Sequence, residues 1–325
     1  MLYKVLKYLA IALVGTLISA VALVFSQRPE QLSGEGGLDF SQQLTAGREN
    51  PAPLQSVPMR DGYPLQVRTY GGADNVPLFV MVHGSGWHGL QFDSLASGLA
   101  GAADVIVPDL RGHGTAPARR GDVDYIGQLE DDLADLIKAV AKPGQKIIMG
   151  GHSSGGGLVV RFAGGEHGDL LDGAVLLAPF LKHNAPTTRE NSGGWAHVLT
   201  RRIIGLSILN TFGITALNHL PVVQFNMPRA VLDGPSGDTA TTAYSYRLNT
   251  SYAPRAKYLD DVAALPPFVL LAGSADEAFD ASQYAPTMGA VTNKGRYDMI
   301  LGETHLGLVD DPRTQAIIEG FLNEF

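Results

Sequence analysis

The feature that most constrains this chain is Gly151-His152-Ser153-Ser154-Gly155, a serine set between glycines. The apolar run Lys146-Ile147-Ile148-Met149 precedes it and reads as a buried strand. Residues 156–167, with Leu158, Val159, Arg161 and Phe162, read as the start of a helix. A strand that turns directly into a helix strains its apex residue, and the two segments approach only where neighbours are small. Such an elbow lifts a hydroxyl beside a helix N-terminus, whose backbone N–H groups face any developing negative charge. The same spacing fits a tight strand–helix turn without chemistry, so the rest of the chain has to decide.

Other segments alternate in the same way. Strands are predicted over 65–70, 77–83, 104–107, 174–177, 268–271 and 296–301, with helices over 90–99, 125–140 and 314–322. Leu78-Phe79-Val80-Met81-Val82 is apolar throughout, as expected of a strand buried on both faces. Alternating strands and helices imply a mainly parallel sheet covered on both sides. The alternation breaks between residues 181 and 264, where no strand is apparent, and a mainly helical cap over the sheet's carboxyl edge is expected there. Ligands bind at that edge in open α/β sheets.

Three motifs fall where a site needs them. His83-Gly84-Ser85-Gly86-Trp87 follows the most apolar strand and can aim the Ser85 N–H at an oxyanion, partnered by the N–H of Ser154. His83 itself reads as a structural hydrogen-bonder rather than a catalyst. Asp109 and Arg111, in Pro108-Asp109-Leu110-Arg111-Gly112-His113-Gly114, read as the charged groups of a rigid loop. Asp276 sits just past one late strand and His305 in the loop after the next, which gives the order Ser153, Asp276, His305. That is the order of an α/β-hydrolase triad. His305 would take the Ser153 proton and return it to the leaving group, and Asp276 would hold the imidazole. Glu277 and Asp280 are rival acids.

These motifs together resemble the α/β-hydrolase superfamily from about Leu54 to Phe325, within it the lysophospholipase and monoacylglycerol lipase branch (serine aminopeptidase S33-like). The resemblance implies an eight-stranded, mostly parallel sheet with a helical cap. It implies ester hydrolysis through an acyl-enzyme, with no metal or organic cofactor. Ser153 matches the nucleophile, Asp276 the acid, His305 the base, and Ser85 and Ser154 the oxyanion positions. Many relatives carry methionine where this chain has Ser154, but the donor there is a backbone N–H.

The expected organisation is an anchor or signal peptide over 1–27, a linker over 28–53, a hydrolase core over 54–180 and 265–325, and a cap over 181–264. Lys4 and Lys7 precede an uncharged run from Tyr8 to Gln27, long enough to span a membrane. The basic flank would stay cytoplasmic and send the catalytic part outward. Ala20-Val21-Ala22 offers a competing cleavage site, which would make the protein secreted or periplasmic, although Leu23-Val24-Phe25 carry the apolar run past it. The linker holds Gly34, Gly36, Gly37, Pro51 and Pro53 and reads as a tether.

A formal net charge of −8 without a basic stripe argues against nucleic acid as a partner. The chain has no cysteine, which excludes disulfides and a thiol nucleophile. The expected substrate is a small-molecule carboxylic ester, lipid-like or small and hydrophobic, such as a lysophospholipid or a monoacylglycerol. A C–C bond hydrolase or lyase, a peptidase and a non-catalytic binding module are the alternatives. Trp87, Trp195 and Phe212 are candidates either for an acyl pocket or for ordinary core. The apolar cluster over 203–209 either dips into a membrane surface or packs a cap helix on the core.

Overall fold

The computed structural model describes residues 1–41 and 51–325. Its centre is an eight-stranded sheet in the order β1-β2-β4-β3-β5-β6-β10-β11. Those strands are β1 (Gln55–Pro58), β2 (Pro64–Tyr70), β3 (Leu78–Val82), β4 (Asp104–Asp109), β5 (Ile147–His152), β6 (Gly173–Leu177), β10 (Phe268–Gly273) and β11 (Gly295–Ile300). β2 runs antiparallel to both β1 and β4, and every other pairing is parallel. β3, β5, β6 and β10 are buried along their whole length, as their apolar sequences, broken only by His152 at the end of β5, require. Helices Gln128–Val140, Ser154–Ala163 and Pro312–Leu322 cover the faces.

β4 lies on one side of β3 and β5 on the other, so the strand order reverses between β3 and β5. The loop after β3 and the turn after β5 therefore open side by side at the carboxyl edge, the place where such sheets bind ligands.

The cap departs from the expectation of a mainly helical insertion without strands. It contains a three-stranded antiparallel sheet, β7 (Ala196–Val198), β8 (Pro221–Phe225) and β9 (Ala243–Ser245), in that order. Two of these strands have only three residues, too few for an alternating pattern to register in sequence. The cap helix Thr200–Thr211 carries the apolar cluster, and it packs on the N-terminal helix rather than on the hydrolase core. Leu206, Leu209, Val222 and Tyr246 form a separate buried cluster with Ala20 and Val24 of the N-terminal helix.

That helix, Leu2–Phe25, has 24 residues and is exposed along most of its length. At about 1.5 Å per residue it is roughly 36 Å long, enough to cross a hydrocarbon layer of about 30 Å. It is long and apolar enough to be a membrane anchor or a signal sequence. Gly205 lets the cap helix approach, since a Cβ there would lie 2.5 Å from the Ala20 carbonyl oxygen. Arg202 closes the end, donating to the carbonyls of Val24, Gln27 and Pro221.

The segment read as a tether over 28–53 is held against the body in its first part. Leu38 and Phe40 are buried in the main core and pack near Trp87 and Trp195. Two apolar side chains in a run of glycines leave no periodic trace in sequence. Residues 42–50 of the predicted linker lie outside the described residues.

Candidate active site

Ser153 stands at the turn between β5 and the helix Ser154–Ala163, with φ 55° and ψ −120°. A non-glycine residue there stores about 1–3 kcal/mol of strain. Three hydrogen bonds hold it. Its N–H donates to Leu177 O at 2.9 Å, and its carbonyl accepts from Gly157 N at 3.0 Å and Phe180 N at 2.9 Å. The glycines are steric necessities. A Cβ on Gly155 would lie 2.1 Å from Val82 O, and one on Gly151 would lie 2.4 Å from the Gly155 carbonyl carbon.

Asp276 follows β10 and His305 follows β11. Asp276 Oδ2 accepts from His305 Nδ1 at 2.8 Å, with both side chains almost fully buried. The other oxygen, Oδ1, accepts the N–H groups of Ala278 and Phe279, each at 2.8 Å. Burial pushes the Asp276 carboxyl up. The His305 charge and hydrogen bond, with the two backbone donors, outweigh this and hold it below the ordinary carboxylate range. With Nδ1–H donating to Asp276, the imidazole carries its lone pair on Nε2. Ser153 and His305 line one cleft, together with Gly84, Ser85, Trp87, Gln91, Trp195 and Leu306.

The rival acids lie elsewhere. Glu277 Oε2 accepts the His305 backbone N–H at 2.8 Å and does not touch the ring. Asp280 accepts from Ser282 and caps a short turn.

The loop after β3 is fixed from several sides. Gly84 N–H donates to Gln91 Oε1 at 3.0 Å, and Gly86 N–H donates to the Tyr244 hydroxyl oxygen at 2.8 Å. Between them, the Ser85 N–H has no acceptor among the described residues. Its side-chain oxygen accepts from Trp195 Nε1 at 3.0 Å. Ser154 opens the helix after the elbow, where first-turn N–H groups lack intrahelical acceptors. His83 is fully buried and shapes the loop: Nδ1 donates to Gly84 O at 2.8 Å and Nε2 accepts from Leu110 N at 3.1 Å. Burial holds its pKa below the usual histidine value.

Asp109 accepts from Gly89 N and Arg68, while Arg111 forks onto Asp132 with two bonds of 2.8 Å. Both charges brace loops, in keeping with the sequence reading. Of the three aromatics, Trp87 and Trp195 line the cleft. Phe212 does not: it ends the cap helix and is 49% exposed.

Two further residues had no signal in the sequence. His152 Nε2 donates to His305 O at 2.9 Å, and its Nδ1 accepts from Gln91 Nε2 at 2.5 Å. Gln91 therefore joins the loop after β3 to the loop after β11 through His152. Burial, then the nearby His305 charge, push the His152 pKa down to about 3, so the ring is neutral.

The same fold recurs in known proteins. Residues 74–307 match the family described as Serine aminopeptidase, S33. An uncharacterized protein of Mycobacterium tuberculosis is 26% identical over 298 residues, covering 82% of this chain and 84% of that one. Among solved structures, a soluble variant of monoglyceride lipase from Saccharomyces cerevisiae superposes with TM-score 0.64 at 17% identity, over 85% of this chain and 96% of its own. A bacterial membrane phospholipase A gives TM-score 0.57 at 16% identity and covers 98% of both chains. At such identities the two structures speak for the fold. The family match covers most of the chain, from β3 to His305, and it is the family of that match, serine aminopeptidase S33 within the α/β-hydrolases, to which this chain belongs.

Proposed function

We propose that the protein is a membrane-anchored serine hydrolase that cleaves carboxylic esters of lipid-like or small hydrophobic acyl groups. The observation that carries the reading is the buried Asp276–His305 pair opening onto the same cleft as the strained Ser153. The chemistry follows from the protonation pattern. His305 Nε2 takes the proton of Ser153 Oγ as that oxygen attacks the ester carbonyl. The N–H groups of Ser85 and Ser154 receive the oxyanion, each worth about 3 kcal/mol in the transition state. The imidazolium, held by Asp276, then protonates the leaving alcohol, and Ser153 keeps the acyl group. Water repeats the sequence against the acyl-enzyme: His305 takes its proton, the acid departs and Ser153 regains its hydrogen.

The helix Leu2–Phe25 is the anchor, with Lys4 and Lys7 on the cytoplasmic side and the hydrolase on the other. Its length and exposed apolar surface support an anchor, and the sidedness rests on the basic flank of Lys4 and Lys7.

The test is active-site labelling. Full-length protein in detergent micelles is expected to react with a fluorophosphonate probe and to release p-nitrophenol from p-nitrophenyl butyrate. Ser153→Ala is expected to lose both, with turnover down by about 10³-fold or more. Folded wild-type protein that neither labels nor turns over esters would refute the reading.

A further inference from the structure

The Ser153 cleft is not built from the hydrolase core and cap alone. Two of its walls, Leu38 and Phe40, come from the segment that joins the N-terminal helix to β1. Phe40 is 6% exposed and sits between two tryptophans, 6.2 Å from Trp87 edge-on and 5.6 Å from Trp195. Trp195 in turn bonds the Ser85 hydroxyl, one residue of the loop facing Ser153.

The segment is fastened, not merely laid across the opening. Gln224 of the cap donates to Glu30 O at 2.7 Å and accepts from Glu30 N at 2.9 Å. Asn226 repeats the pattern, donating to Glu35 O at 2.7 Å and accepting from Gly34 N at 2.9 Å. Two side-chain amides thus do what a neighbouring strand would do. Gly34, at φ +74°, presses so close that a Cβ would meet Met227 O at 2.9 Å. Between Leu38 and Phe40, the Asp39 N–H donates to Glu277 Oε1 at 2.9 Å, next to the His305 loop.

With this segment in place the room left inside the cleft is about 20 Å³, about what one water molecule needs. Ligand pockets run to roughly 300–1,000 Å³, so Leu38 and Phe40 leave the cleft nearly filled. We propose that Leu38 and Phe40 are specificity-determining residues that close the Ser153 cleft and restrict it to esters of short acyl chains. The inference rests on the serine-hydrolase reading and names its substrate class. An aromatic ring wedged between two indoles blocks the space a longer chain would fill. Since each buried methylene is worth about half a decade in affinity, modest room in that wall changes chain-length preference sharply.

The experiment compares kcat/KM for p-nitrophenyl decanoate and p-nitrophenyl butyrate in full-length wild type, Leu38→Ala, Phe40→Ala, Phe40→Leu and Phe40→Trp, all in the same detergent. Wild type is expected to favour butyrate. Removing the ring is expected to raise the decanoate-to-butyrate ratio at least about tenfold, the equivalent of about two newly buried methylenes. Phe40→Trp is expected to lower it. Phe40→Leu, a smaller apolar change, keeps the test decisive if the alanine variant does not fold. Fluorophosphonate labelling separates the two levels of argument. Ratios unchanged across variants that still label and turn over would overturn the role of this segment while leaving the hydrolase intact. A wild type that does not label would overturn both.

Discussion

Asp39 and His305 are bound to the two oxygens of one carboxylate: Glu277 accepts the Asp39 N–H on Oε1 and the His305 N–H on Oε2. A residue of the N-terminal segment and the proposed general base thus share an anchor. Glu277 was a rival for the acid's role in the sequence, and its place is behind the histidine instead.

Replacing Glu277 by Gln leaves one acceptor where two donors converge. Hydrogen bonds to a charged group are worth about 1.5–3 kcal/mol. Glu277→Gln is expected to lower kcat for p-nitrophenyl butyrate about tenfold and to speed amide hydrogen exchange around both Asp39 and His305. Exchange altered at only one of the two would show that the anchor is not shared.

His152 gives a pH dependence of stability. Its native pKa is pushed down to about 3, while the unfolded chain binds the proton near the ordinary histidine value of about 6.5. Below that value the unfolded state carries more protons, so stability falls as pH drops from about 6.5 towards 3. The slope is at most about 1.4 kcal/mol per pH unit for one histidine. His83 and His113, both buried with lowered pKa values, act in the same direction. Denaturant midpoints between pH 8 and pH 5 are expected to fall, and His152→Asn is expected to flatten that slope. An identical slope in the variant would refute the assignment.

Gly155→Ala tests the elbow sterically. Its Cβ would stand 2.1 Å from Val82 O and 2.4 Å from His83 O, both backbone atoms that cannot swing aside. The loss is expected to exceed the usual 1–3 kcal/mol of overpacking. Thermal unfolding should show little or no folded protein, and a near-native midpoint would contradict the packing described above.

Gly205→Val is directed at the docking of the cap helix on the N-terminal helix, where the Ala20 carbonyl and Val24 leave no room for a side chain. Faster hydrogen exchange over residues 200–211 is expected, with unchanged exchange in β5. Protection equal to wild type in the cap helix would remove the contact from consideration in solution.

The core of the fold was readable because its strands are long, apolar and punctuated by turns. Ser153 and Asp276 each follow such a strand and His305 follows the more polar β11, so their approach to one edge could be anticipated from chain order and spacing, and so could the loop carrying Ser85. The cap strands were hidden by their length. Gln91 and His152 were hidden for another reason: a side chain that links two loops across the sheet has no periodicity to betray it. Leu38 and Phe40 failed to register because they are two apolar residues in a glycine-led polar stretch, although Gly34 and Gly37 press that segment against the cap. Phe212 misled because an aromatic at the end of an apolar helix looks the same from sequence whether it faces inward or outward.

The docking of the cap on the N-terminal helix bears on what cleavage of that helix would do. A cut after Ala22 would carry away Ala20, one of the two residues that the cap cluster buries completely on that side. Leu206, Leu209 and Val222 would then face water at one spot, beside the already exposed Ile204 and Phe212. Loss of the helix would therefore trade a covered surface for an adhesive one, and the shortened form would need a second copy or a lipid aggregate to cover it.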